Sequence, residues 1–494
     1  MNHQDIYRSL HTAAEIEGPI PANAGSVPFC AMQNSRRPVS LEGYGYVEEE
    51  FFASGLANVY AEGQAGLETV HEAVPYRTRL LVRRPADPSK FSGRVYFDIL
   101  NATQNYDIED LWHRIYIWCM EQGHGYVGIT SKPVNVQSLK QYDYARYRSL
   151  NWSSPEPVPQ PAPCIEGEIP GTEEGLIWDM IAQTATALRS GALFGEWPVD
   201  YLCLTGQSQS GFYLNTFVAH FDSYMRDAQG SSLFDGYLNI VGVPFERELR
   251  QGISPYRFSL KPRRRLTSSV PLVMVSSEGD ISLFSGRMAG MMAELPEDSD
   301  APGSLCRYYE VAGAPHTDID CGILSSDAEI LRAGRMLLPM DPALRSQIND
   351  FPLAEYICGL LEKMYIWRTS GVSPAVCPRF VRDATGALCR DVHGNVCGGF
   401  RSPYVDLPVA RYQGSGDIPS GDIGGCRTEL AEDQEAVECR LSRLEAGLRA
   451  QQEAGWLTQG AVERMLAAER ARCLRQSDSD ENASGRREGC GRRL

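Results

Sequence analysis

Tyr201-Leu202-Cys203-Leu204-Thr205-Gly206-Gln207-Ser208-Gln209-Ser210-Gly211 is the stretch whose reading decides the fold. It starts as a short apolar strand and ends in a tight turn with a serine at its tip. Phe212, Tyr213, Leu214, Phe217 and Val218 follow, a run that suits a buried helix. A strand–serine–helix junction is a nucleophile elbow, whose turn strains the central residue and pushes its side-chain oxygen out above a sheet. The residues two positions either side of the serine approach each other closely and must be small; here they are Gly206 and Ser210. Ser210 is the weaker nucleophile candidate, because Ser208 rather than glycine stands two positions before it.

Working outward, strand-like runs alternate with helical spacing. Tyr44–Ser54, Tyr76–Arg84 and Val95–Leu100 read as strands. From Asp107, read as an N-cap, Ile108, Leu111, Trp112, Ile115, Trp118 and Cys119 repeat at helical spacing. Tyr126–Thr130 is a buried strand, and Ile177, Ile181, Thr184 and Leu188 mark a helix before the elbow strand. Beyond the elbow helix come strands at Tyr237–Val243 and Pro271–Val275, a helix at Leu283–Leu295 and a strand at Tyr308–Ala312. This alternation implies right-handed crossovers and a mostly parallel α/β sheet covered by helices on both faces.

The expected organisation is an irregular segment over 1–43 and a core over 44–370, with insertions at about 135–172 and 245–268. An extension with hairpin and helices spans 371–473, and a polar disordered tail spans 474–494. Pro155, Pro157, Pro159, Pro161 and Pro163 make the first insertion stiff and extended, as a linker or a flap. Within the extension, Val437, Leu441, Leu444 and Leu448 mark an amphipathic helix that Gly455 ends.

A net charge of −16 argues against nucleic-acid binding, and Arg263-Arg264-Arg265 reads as a solvated run. The first 28 residues carry no basic start with an apolar core, and no stretch approaches about 18 apolar residues, so a cytoplasmic protein without membrane contact is expected. The 14 cysteines are scattered, and Cys377, Cys389, Cys397 and Cys426 are too irregularly spaced for zinc. Free thiols are expected, with neither metal nor cofactor; the oligomeric state is open.

A serine hydroxyl needs an imidazole to take its proton and a carboxylate to orient that imidazole. Where the acid follows a late strand and the histidine the last one, the chain order is serine, acid, histidine. Val270-Pro271-Leu272-Val273-Met274-Val275 runs into Ser276-Ser277-Glu278-Gly279-Asp280, and Arg307-Tyr308-Tyr309-Glu310-Val311-Ala312 runs into Gly313-Ala314-Pro315-His316. His316 is the one of eight histidines on a loop just after a late core strand. Asp280 is the favoured acid and Glu278 the reserve; Asp318 and Asp320 read as solvated loop residues. Oxyanion donors are expected at the backbone N–H of Gln209 and, from Asn101-Ala102-Thr103-Gln104, at that of Ala102. Tyr142, Tyr144 and Tyr147, with Trp152, either line an aromatic substrate pocket or pack under the long loop that follows.

With these residues in view, the chain resembles the α/β-hydrolase-domain family whose members carry a Gly-Glu-Ser-Gln-Ser-type elbow. The resemblance rests on Gly206–Gly211, Leu100-Asn101-Ala102-Thr103, Tyr144–Leu150, Ser277-Glu278-Gly279-Asp280, Glu310–His316 and Gly398–Ala410, and spans roughly residues 44 to 470. It implies a Ser–acid–His hydrolase fold of unassigned substrate. Gln207 departs from the family pattern, in which glutamate is frequent, and the pattern has acids at both the Glu278 and Asp280 positions. The expectation is a serine hydrolase acting on a carboxylic ester or lactone through an acyl-enzyme. The alternatives are an acyltransferase or lactone-forming enzyme with the same triad, and a silent ligand-binding scaffold.

Overall fold

Strand β6 (Tyr201–Gln207), which leads into the elbow, is apolar throughout because it is buried on both faces. Leu202 and Leu204 enter one hydrophobic core while Tyr201 and Cys203 enter another on the opposite side. The computed structural model describes residues 3–64, 66–156, 169–195, 197–226, 230–251, 260–287, 294–317, 325–337, 348–407, 410–415, 421–430 and 437–488. Before β6 come β1 (Glu15–Glu17), β2 (Tyr46–Gly63), β3 (Gly66–Pro85), β4 (Arg94–Ile99) and β5 (Gly125–Ile129). After it come β7 (Gly236–Ile240), β8 (Phe245–Arg247), β9 (Leu260–Pro262), β10 (Leu272–Ser277), β11 (Ser299–Ala301) and β12 (Ser304–Val311).

Ten of these strands form one sheet in the order β1-β2-β3-β5-β4-β6-β7-β10-β12-β11. The run from β5 to β12 is parallel, with antiparallel strands toward both edges. Helices Ile177–Arg189 and Gln209–Phe221 cover one face. Helices Asp110–Glu121 and Leu353–Ser370 cover the other, joined there by Leu444, Leu448, Val462 and Met465 of the C-terminal extension. Parallel crossovers place the C-terminal ends of β4, β6, β10 and β12 along one rim of the sheet, where ligands bind in open α/β folds. Among the described residues, no helix is long and apolar enough to cross a membrane.

Several expectations are corrected. Residues 1–43 are not irregular throughout: His3–Leu10 is a helix and β1 adds an edge strand to β2. Ile6 and Leu10, four apart on one helix face, are buried in the main core. The helix expected from Asp107 begins at Asp110, because Asp107 is buried and its carboxylate accepts hydrogen bonds from Arg79, Thr130 and Asn135. The polar tail is helical at its start: Gln459–Glu488 is one helix, since adding residues to an existing helix avoids the cost of nucleation. The helix expected at Leu283–Leu295 starts earlier, at Glu278. Residues 288–293, the prolines at 157, 159, 161 and 163, residues 252–259 of the second insertion, Asp318 and Asp320 lie outside the described residues.

The tyrosines are corrected too. Tyr147 is fully buried; its hydroxyl donates to Glu50 Oε1 at 2.7 Å and accepts the Phe29 N–H at 2.9 Å. Tyr142 is buried against Phe29, and Tyr144 is 68% exposed. Tyr142 and Tyr147 thus pack the N-terminal segment onto the core, and Tyr144 stands in solvent. Replacing Tyr147 by Phe should therefore strand the Phe29 N–H and weaken the hold on Glu50. The expected loss is about 1–3 kcal/mol of unfolding free energy, read by denaturant titration. Tyr144→Ala should stay within about 0.5 kcal/mol of wild type, and a neutral Tyr147→Phe would contradict the packing role.

Candidate active site

The turn after β6 puts Ser208 at φ 51°, ψ −118°, a conformation that a residue with a Cβ adopts only when its surroundings force it. A Cβ on Gly206 would lie 2.4 Å from the Ser210 carbonyl oxygen, so only glycine fits there. The Ser210 hydroxyl accepts the Gln207 N–H and donates to the Gln207 carbonyl, both at 2.8 Å. At 1% exposure it is used up in closing the turn. Gln207 is engaged as well, its Oε1 accepting a hydrogen bond from Arg114 Nε at 2.7 Å.

The parallel neighbours of β6 deliver the partners. His316, on the loop after β12, has Nε2 2.9 Å from Ser208 Oγ and Nδ1 2.5 Å from Asp280 Oδ1. Asp280 is locked to the end of β10, its Oδ2 accepting the Ser277 N–H at 2.8 Å while its own N–H donates to Ser277 Oγ at 3.2 Å. Burial raises its pKa, opposed by the hydrogen bond and charge of His316 and by the Ser277 N–H. With a proton on Nδ1 facing Asp280, Nε2 is the free base that can accept the Ser208 proton. Glu278, the reserve acid, is turned away: Oε2 accepts the Gly313 N–H and Oε1 faces Arg390.

The Gln209 N–H stands in the first turn of helix Gln209–Phe221, where amide groups lack intrahelical acceptors. The other expected donor is not free. The Ala102 N–H donates to Gln209 Oε1 at 3.0 Å, so serving an oxyanion requires the Gln209 carboxamide to yield that bond. Gln209 is 3% exposed, and its Nε2 has no hydrogen-bond partner among the described residues.

Two features escaped the sequence. Phe212, Phe245 and Phe284, with Leu260, form a third hydrophobic cluster apart from the two cores, and the Phe284 ring stands edge-on to His316 with centroids 5.8 Å apart. Phe212 and Phe284 lie one helical turn beyond Ser208 and Asp280, a spacing that was legible; Phe245 comes from β8 and was not. The second feature is a buried charge cluster beside the elbow helix. Glu174 accepts from Arg247 at 2.6 Å, faces Lys132 at 3.4 Å and accepts from the Tyr213 hydroxyl at 3.2 Å.

The alpha/beta hydrolase domain model matches residues 16–467 of the chain. No curated protein matches it. Among solved structures, Thermogutta terrifontis esterase 2 phosphorylated by paraoxon is 12% identical, with 65% of this chain and 96% of that one covered and a TM-score of 0.30. XC6422 from Xanthomonas campestris, an a/b serine hydrolase without lid, is 10% identical over 51% of this chain and 85% of that one, with a TM-score of 0.23. A match to prolyl endopeptidases is 10% identical, covers 54% of this chain and about a third (35%) of that one, and has a TM-score of 0.25. Scores this low carry no weight for the site.

The Glu174 cluster makes stability pH-dependent. Burial opposes ionisation of Glu174, but Arg247 and Lys132 outweigh it and hold the pKa at about 2, below the ordinary 4.5. A depressed folded pKa gives stabilisation that is complete above the unfolded value and is lost as pH falls toward the folded one. Glu174→Gln should therefore lower the melting temperature at neutral pH and flatten its fall between about pH 5 and pH 2 relative to wild type. Equal slopes in the two proteins would exclude a depressed Glu174.

Proposed function

The chain belongs to the alpha/beta hydrolase domain family, and on that premise we propose that it is a serine hydrolase cleaving a carboxylic ester or lactone of a small organic molecule through an acyl-enzyme. The observation that carries the proposal is the continuous contact from Ser208 Oγ to His316 Nε2, and from His316 Nδ1 to Asp280. Ser208 attacks the carbonyl carbon as its proton passes to Nε2, and that proton then leaves with the alcohol. Water adds to the acyl-enzyme by the same route and returns the proton to Ser208. Asp280 orients the imidazole and stabilises its charged form. The Gln209 N–H and, once released, the Ala102 N–H are the donors for the oxyanion.

The Phe212–Phe245–Phe284 cluster supports an apolar group on the substrate, since an aromatic surface next to the reacting imidazole favours hydrocarbon over water.

A fluorophosphonate probe should label the wild type and Ser210→Ala but not Ser208→Ala. Asp280→Asn should lower ester turnover on the order of 10⁴-fold while Glu278→Gln leaves more activity than that. A folded wild type that does not label would sink the proposal. Separately, Phe284→Ala should cost roughly tenfold more in kcat/KM on a nitrophenyl hexanoate than on a nitrophenyl acetate. Equal losses on both esters would remove the cluster from substrate recognition.

A further inference from the structure

Glu278 is a buried carboxylate that the proposed chemistry leaves idle, yet both of its oxygens are engaged. Oε2 accepts the Gly313 N–H at 3.0 Å, and Oε1 accepts a hydrogen bond from Arg390 Nη2 at 2.7 Å. Glu278 opens the helix that carries Asp280 two residues later, and Gly313 opens the loop that carries His316 three residues later. One side chain therefore ties together the two segments whose separation sets the Asp280–His316 contact.

The surrounding backbone is packed tightly enough to transmit that tie. The Gly279 N–H donates to the Ala314 carbonyl at 3.2 Å, and a Cβ on Gly279 would lie 2.5 Å from His316 N. Gly313 is left-handed at φ 80°, and its carbonyl accepts from Asn349 Nδ2 at 2.7 Å. Arg390 comes from the C-terminal extension, on a strand bridge with Val396, and its Nη1 donates to the Gly394 carbonyl at 2.9 Å. A planar guanidinium anchored on one edge presents the other in a fixed direction, which a lysine ammonium cannot do.

We infer that Arg390 is a positioning residue for Ser208, His316 and Asp280: from the C-terminal extension it keeps the Glu278 carboxylate aimed at Gly313, and so keeps the acid turn pressed against the histidine loop. The geometry stands by itself; the consequence for turnover rests on the serine-hydrolase reading. Glu278 is 1% exposed, and a buried carboxylate that loses its cation turns away, loosening Gly313. The Arg390 side chain is 34% exposed, so it can be changed without opening the core.

The test uses the full-length chain with Arg390→Gln and Arg390→Lys, read in two ways. The first is proton NMR of the downfield His316 Nδ1–H, assigned by its loss in His316→Ala, which needs no substrate. The second is fluorophosphonate labelling, resolved into a half-saturating concentration and a limiting rate. In Arg390→Gln the resonance should move or broaden, and the limiting rate should fall about tenfold at unchanged half-saturation. Arg390→Lys should recover part of both changes, and adding Glu278→Gln to Arg390→Gln should bring no further loss. A purely structural Arg390 would lower the melting temperature but leave the resonance and the limiting rate of the folded protein at wild-type values. That result, or additive losses in the double variant, overturns the inference. A wild type that fails to label refutes the hydrolase reading, and the resonance then decides the role of Arg390 alone. Should Arg390→Gln not fold, Arg390→Lys decides by the same readouts.

Discussion

The site depends on one strained residue. Holding Ser208 at positive φ costs on the order of 1–3 kcal/mol and persists only where neighbours over-determine it. Here they do so from several directions. The Ser208 N–H donates to the Ile240 carbonyl at 2.9 Å, tying the elbow to the end of β7. A Cβ on Gly242 would meet the Ser208 carbonyl oxygen at 2.5 Å, and one on Gly211 would meet Asn239 Oδ1 at 2.7 Å. Asn239 Nδ2 in turn donates to the Gly211 carbonyl at 2.9 Å. The strain is thus held by the register of β6 against β7, and side chains enter mainly to satisfy the polar groups that the turn leaves open.

Strand pairing then decides what reaches the serine. Because β7 and β10 separate β6 from β12, the histidine loop must return across two strand ends to bring Nε2 to Ser208 Oγ. A loop reaching that far needs support on its outer side, and the C-terminal extension supplies it. Phe400 donates to the Glu310 carbonyl and accepts from the Ala312 N–H, continuing the sheet beyond β12. The Phe380 N–H and Arg382 bind the Glu310 carboxylate, and the Thr317 N–H donates to the Ile423 carbonyl. The extension is in this sense part of the frame that holds His316 against Ser208.

How much of this was legible follows from the range of the forces involved. The elbow, the strand order and the places of His316 and Asp280 could be read because each rests on local pattern: an apolar run, a turn, a residue at a strand end. The choice between Asp280 and Glu278 could not be settled, since both lie within one helical turn and the groups that turn Glu278 aside, the Gly313 N–H and Arg390, lie outside that stretch. Tyr147 failed for the same reason. An aromatic cluster before a proline run looks like a pocket lining until Glu50 and Phe29, from the far end of the chain, are found on its hydroxyl. The engagement of Ala102 by Gln209 is a side-chain hydrogen bond between two loops, with no trace in composition or spacing.

The loop that carries Ala102 shows the same dependence on distant charge. Asn101 Nδ2 donates to the Gln207 carbonyl at 3.1 Å and fixes the start of the loop on the elbow strand. Asp107 fixes its end, bound by Arg79 Nη1, whose Nε in turn binds Glu50 at 2.6 Å. Both Arg79 ion pairs are fully buried. Buried pairs add little net stability over apolar packing, yet losing one partner costs about 3–5 kcal/mol because the other charge is left uncompensated. Their effect is to leave the loop one position. Leu or Met in place of Arg79 would fill the volume but would leave Asp107 without its cation and Glu50 with Arg146 alone, and the Ala102 amide would lose the fixed frame from which it faces Gln209.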